Sequence, residues 1–472
     1  MTSSSTLVRN FPTLRYLAAP LRWLFRSRRR VFTAVGVLLA MIAAPPVWWS
    51  VQLTGLPDIG PPFGVEEFRS LSIPDDRNAF VLYRRAMDRL LPMKLSPDWS
   101  DEGALFALPL MSGTLLNLRS GGSPEEKIDL LAPWSKADAR MRRWAEQNRE
   151  ALALYRHGTE RPDAFDPVPL TSPGPDKVRQ TLRGFHLLAL LEASRLEEQG
   201  EMAEAWAWYR SALRATHHMG LRSIEYQRFI ADRWRGELNG RLTTWSANPR
   251  TTAAIVHQAL DDVIACGALV PSDSYTLKAE YPHNEQTLDS PWNPGRQVLG
   301  NRPYALFGSP DYQLNPEQLQ AISDLWRSWR REPERSRRVI RLAVANWLAY
   351  HDLPPDRRPR PDPDVSGPYD FYAFGPEALA KARALSPESL DRWLESSVDA
   401  RELLKLCDLR GIRTKERASH RALVVLLASQ LYRRNHGSDP PSEQALVGPY
   451  LKELPDDGTG DAPPVSGPTG KE

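Results

Sequence analysis

Cysteine is nearly absent. Cys266 and Cys407 are the only two in 472 residues. Two thiols so far apart make no disulfide framework and lack zinc-site spacing. One long-range bridge, in a compartment outside the cytoplasm, is the only pairing they allow. The short patterns that carry chemistry are missing too. The chain has no Gly-rich phosphate loop, no Gly-x-Ser-x-Gly elbow and no His-Glu-x-x-His pair. No regular run of alternating strand segments appears, which argues against a parallel sheet with its nucleotide site. Carboxylates are absent from the first 57 residues, where seven arginines lie between Arg9 and Arg30; Asp58 is the first acid.

That asymmetry relocates the basic character of the chain. Of 61 basic residues, removing those seven leaves 54 against 58 acidic ones. The remainder is slightly acidic, so no nucleic-acid partner is expected. The arginines end at Arg30, directly before the only long apolar run, residues 31–51 (VFTAVGVLLAMIAAPPVWWSV). About 20 such residues span a bilayer core. Pro45 and Pro46 would kink the helix near its outer end. Trp48 and Trp49 fall where an interfacial aromatic belt sits. Basic residues stay on the cytoplasmic side, so the expected topology is a single-pass signal-anchor in the inner (cytoplasmic) membrane. The N-terminus is then cytoplasmic and the body periplasmic or otherwise extracytoplasmic. Ala44 is a poor cleavage site, with Ile42 three places before the cut and Pro45 after it, so the anchor is expected to stay uncleaved.

The body reads as helical. The apolar spacing Phe80, Tyr83, Met87, Leu90 predicts a helix over 75–91. Ser123 with Glu126 has the form of a capping box opening another. One long helix is predicted over 135–157, further helices over 318–331, 335–351 and 386–406, and irregular chain over 162–175, 278–312 and 354–368. The expected organisation is a basic tail (1–30), a transmembrane anchor (31–51) and a Pro/Gly linker (52–64). A helical body (65–415), a C-terminal helical segment (416–455) and a disordered tail (456–472) follow.

Residues 186–213 (HLLALLEASRLEEQGEMAEAWAWYRSAL) resemble one tetratricopeptide repeat at Ala193, Leu196, Gly200, Ala205, Tyr209 and Ala212. Gly200 would make the turn, and the small Ala193 and Ala205 would let two helices approach within a hairpin at 178–220. In such repeats the first helix lines a concave binding face. The resemblance therefore implies Leu187, Leu190, Ser194 and Glu197 as protein-contact positions. Segments 148–163, 338–354 and 422–457, with the hairpin, look like an uncharacterised planctomycete family of membrane-anchored helical proteins, for which no activity is implied. The segment around Tyr432, Gly437, Pro440, Leu451 and Pro455 is also similar to the end of type II secretion pseudopilins.

Remaining candidates read better as structure. His217 and His218 are adjacent on a helix, about 100° apart, so they suit a charged helix C-terminus rather than a metal. His283-Asn284-Glu285 falls in predicted loop. Asp362 and Asp364 begin something like a calcium loop, but Ala373 stands where the bidentate carboxylate is needed. Glu197-Glu198 and Asp261-Asp262 are sequence neighbours, which do not face each other as acid–base pairs must. Trp206, Trp234, Trp326 and Trp347 fall at core spacing.

The resulting expectation is an all-α chain, helical hairpins in an irregular solenoid or bundle preceded by one transmembrane helix. It has no catalytic, metal or cofactor residue. Its partners are the lipid bilayer through residues 31–51 and a protein bound on the helical surface of a scaffold. Two alternatives stand beside it: an envelope enzyme with a site assembled from distant residues, glycan-active as the first guess, and an accessory component of a secretion or pilus system.

Overall fold

The computed structural model describes residues 28–54, 56, 58–93, 115–118, 126–166, 177–289, 324, 327–328, 331–351 and 409–456. These are mostly helical, in agreement with the all-α expectation. In chain order the helices are α1 (Arg28–Thr54), α2 (Val65–Arg69) and α3 (Ala79–Met87). A two-stranded antiparallel pair follows, β1 (Leu115–Leu118) with β2 (Glu126–Asp129). Then come α4 (Ala139–Gln147), α5 (Arg149–Thr159), α6 (Lys177–Gln199), α7 (Met202–Leu221) and α8 (Glu225–Ala247). The last are α9 (Ala253–Cys266), α10 (Asp273–Asp289), α11 (Glu332–His351) and α12 (Leu409–His436). The chain divides into two compact units. One holds residues up to Gly60 together with Thr287–Arg341; the other holds Pro61–Gln286 and most of the rest.

In the first unit α1 runs unbroken through the apolar segment 31–51. Among the described residues no helix is long and apolar enough to cross a membrane. Several apolar side chains of the 31–51 run lie outside the described ones. The unit buries Leu53, Leu56, Leu288, Val339 and Ile340.

The second unit packs its helices around one core. The α6–α7 hairpin lies at its centre, with Leu187, Leu188, Ala189, Ala193, Ala205 and Ala212 all buried. Gly200 makes the turn between the two helices at φ +87°, a left-handed conformation that favours glycine. α3 begins at Asn78, whose side chain caps the Phe80 amide at 3.0 Å. Trp206 stacks on Trp245 at 5.2 Å, and Tyr155 on Phe185 at 5.0 Å.

Three local expectations change, each because tertiary contacts outweigh local pattern. Glu126 opens a strand, not a helix; Ser123 lies outside the described residues. Ile128 and Leu130 are buried while Asp129 is exposed, a two-residue period that suits a strand. The helix expected over 135–157 is broken at Asn148. Its buried amide accepts from the Leu91 amide at 2.7 Å and donates to the Leu91 carbonyl at 3.0 Å, which holds its backbone off helical angles. The irregular stretch expected from 278 is helical as far as Asp289, with Pro282 inside α10. Tyr281, Asn284 and Leu288 are fully buried there, and that burial outweighs an interior proline's penalty of roughly 3 kcal/mol. The helices expected over 318–331 and 386–406 fall mostly or wholly outside the described residues.

Glu280 of α10 is buried and accepts the Glu225 amide at the start of α8 at 2.7 Å. Burial, with the Glu225 charge nearby, pushes its carboxyl up to about 8 from 4.5. The folded state therefore holds this proton between those values while the unfolded chain releases it. The Glu280 contribution is complete below pH 4.5 and is lost as pH rises towards 8. Denaturant titrations at pH 5 and pH 8 should show wild type losing on the order of a few kcal/mol more than Glu280→Gln over that interval. Equal losses in both proteins would mean that Glu280 is ionised in the folded state.

Candidate functional site

α7 presents a polar stripe at four-residue spacing. Trp206 Nε1 donates to Asp262 at 2.8 Å, and Arg210 reaches Glu160 at 2.6 Å. Arg214 donates to the carbonyls of Thr159 and Arg161. His218 Nδ1 and the Tyr83 hydroxyl lie 2.8 Å apart. Just past the helix, Arg222 pairs with Asp163. Positions i and i+4 share a helix face, so one row of side chains knits α7 to α9, α3 and the chain after α5. Burial, then Arg214, pushes His218 down to about 3, and burial raises Tyr83 well above its ordinary value. Both are neutral near pH 7, and their contact is a buried hydrogen bond between uncharged groups.

His217 is buried as well, with its imidazole held well below its ordinary range by burial and then by Arg235 and His420. The expectation that the pair caps a helix as cations is thus corrected. Both rings sit inside the core, where desolvating a charge costs more than the helix dipole returns.

A second cluster joins residues far apart in sequence. Arg228 of α8 donates to Glu416 of α12 at 2.6 and 3.3 Å and to Asp273 of α10 at 2.8 Å. Arg413 reaches the other Asp273 oxygen at 3.2 Å, with His351 at 3.6 Å. Arg228, His351 and Arg413 hold the Asp273 carboxyl low against the opposing effect of burial. Arg228 is 1% exposed, so this node is internal.

The contact positions drawn from the repeat resemblance do not line an open face. Leu187 and Leu190 are 0% and 1% exposed. Ser194 is buried, and its hydroxyl accepts the Trp134 amide at 3.0 Å. Glu197 is half-buried and accepts the Tyr209 hydroxyl; burial raises its carboxyl. Its neighbour Glu198 instead accepts the Ser135 amide at 2.8 Å. Asp261 pairs with His257 at 3.1 Å while Asp262 serves Trp206 and Arg210, so neither carboxylate pair converges on a point. His283-Asn284-Glu285 lies within α10. Cys266 is buried, and burial pushes its thiol up to about 11, away from reactivity. Cys407, Asp362 and Asp364 lie outside the described residues. Among the described residues no group of three or more His, Cys, Asp or Glu is placed to hold a metal ion.

Two concavities open on the second unit. One, of about 600 Å³, lies over α8 beside Phe229, Arg233, Glu237 and Lys415. Its floor is Gly236 and Gly240, and a Cβ at either would meet nothing within 4 Å. Behind it, Arg183 donates to Glu237 at 2.5 and 2.9 Å and lies over the Trp234 ring at 5.6 Å. These bonds, with the His186 imidazole 3.7 Å away, hold the Glu237 carboxyl down to about 2 despite burial, so it stays charged. The other, of about 640 Å³, runs between α9 and the C-terminal segment beside His257, Gln258, Asp261, Asn435 and Tyr450. There the Asn435 amide donates to the Tyr450 hydroxyl at 3.1 Å. Both are open faces; the first carries charges of both signs, the second the carboxylate of Asp261 among polar and apolar side chains.

Comparison with protein-family models, curated proteins and solved structures finds no match to this chain.

Proposed function

We propose that the chain is a single-pass, membrane-anchored helical scaffold that holds its body on the extracytoplasmic side to bind another protein. One observation carries the reading. Phe32, Val35, Val37, Leu39, Val47, Trp48 and Val51 of α1 are all exposed, Phe32 at 75% and Leu39 at 60%. At 100° per residue they cover roughly 220° of the helix circumference. Water would leave that surface bare, whereas a bilayer would cover it. The arginines before the run, and the absence of acid until Asp58, set the orientation. The finer fold reading is an irregular solenoid of hairpins, with α6–α7 as a tetratricopeptide-like unit. The burial of Leu187 and Leu190 moves protein contact away from α6, towards the two open faces over α8 and beside α9.

Fractionation tests this. The full chain should stay in the membrane pellet through salt and alkaline carbonate and leave only with detergent. Deleting residues 31–51 should release the body. Protease added outside spheroplasts should then remove the body of the full chain. A carbonate-soluble full chain would end the anchor reading, and a protease-protected body would reverse the topology.

A further inference from the structure

We infer that the exit from the bilayer is a locked mount, made by two arginines of α11 closing over the chain that leaves α1, and not a free tether. The inference rests on the anchor reading above. The Pro- and Gly-rich stretch 52–64 suggests a loose spacer by composition. Leu53, Leu56 and Asp58 within it are nonetheless held. Leu53 is 3% exposed and Leu56 1%. Arg338 Nη1 donates to the Leu56 carbonyl at 2.9 Å and to the Leu53 carbonyl at 3.3 Å. Leu53 is among the last four residues of α1; its carbonyl also accepts the Leu56 amide at 3.1 Å, and a cation there suits the negative end of the helix dipole.

The second attachment is Arg341, whose Nη1 donates to Asp58 at 3.0 Å. The same Asp58 oxygen accepts the Gly60 amide at 3.0 Å, closing a tight turn in which Gly60 takes φ +69°. The Gly60 amide first, and then Arg341, hold the Asp58 carboxyl low, so it is ionised and available to the arginine at neutral pH. Arg338 is oriented in turn by Glu334, which accepts its Nε at 2.9 Å.

The two arginines are three residues apart and share one face of α11. They grip the exiting chain at separate points, Leu53/Leu56 and Asp58, all within one compact unit. One contact would leave a pivot; two restrict both swing and rotation. The mount therefore couples the tilt and rotation of the membrane helix to the first half of α11. A partner or lipid change that turns α1 would be felt at α11.

Hydrogen exchange on the full chain, in lipid nanodiscs and in detergent, tests this. The peptide covering 53–60 should exchange slowly in wild type. Arg338→Gln should speed it by about tenfold or more while peptides from α7 and α8 stay unchanged. Asp58→Asn keeps an acceptor oxygen but removes the ion pair with Arg341, and should speed the same peptide several-fold. Exchange of 53–60 at free-peptide rates in wild type, or no change in either variant, would overturn the mount. Failure of the anchor is read separately, from the carbonate extraction, and leaves the exchange result in detergent interpretable.

Discussion

Arg228→Ala is expected to destabilise the body by about 3–5 kcal/mol, the penalty for removing one member of a buried ion cluster. Arg228 is 1% exposed and answers both Glu416 and Asp273. Truncation leaves Glu416 in a nearly closed site without its two-bonded partner. Asp273 keeps Arg413 and His351, so the larger part of the loss arises at Glu416. Adding Glu416→Gln should recover part of the stability, since the orphaned charge is then gone. Urea midpoints of wild type, the single and the double variant measure this. A single variant within 1 kcal/mol of wild type, or a double variant worse than the single, would show that the node is not the buried cluster described.

Ala205→Arg should have a comparable effect, roughly 3 kcal/mol or more. Ala205 is 0% exposed on α7 and Ala193 is 0% exposed on α6, with Tyr209 closed over the same hairpin. An arginine adds volume in the packed hairpin and drags a charge into its core. The fall in thermal midpoint, followed by circular dichroism, reads it. A loss below about 1 kcal/mol would mean that the side chain escapes to the surface and that Ala205 does not face its partner helix.

The two sites differ in how legible they were. The hairpin could be read because its determinants are local. A glycine turn, small residues at the crossing and apolar positions three and four apart all lie within the one hairpin at 178–220. The ion node could not, since Arg228, Asp273 and Glu416 are unremarkable surface-type residues until three helices bring them together. The adjacent His217 and His218 show the same limit from the other side. Sequence placed them at a helix end, where a cation is favoured, and only their burial makes them neutral. A short pattern also misled at Glu126, where strand pairing with 115–118 outweighs a helix-start signal.

The sequence by itself determined the helical class, the basic segment ahead of one apolar run, and the α6–α7 turn, because these depend on the order and period of neighbouring residues. Tertiary structure alone decided that Leu187 and Leu190 are core, that Asn148 breaks a helix, that Pro282 sits inside one, and that Arg338 and Arg341 close over the chain leaving α1. Each of these depends on groups brought together from distant parts of the chain. Burial and desolvation act only once such contacts form, and there they exceed the few tenths of a kcal/mol to about 1 kcal/mol by which local propensities usually differ.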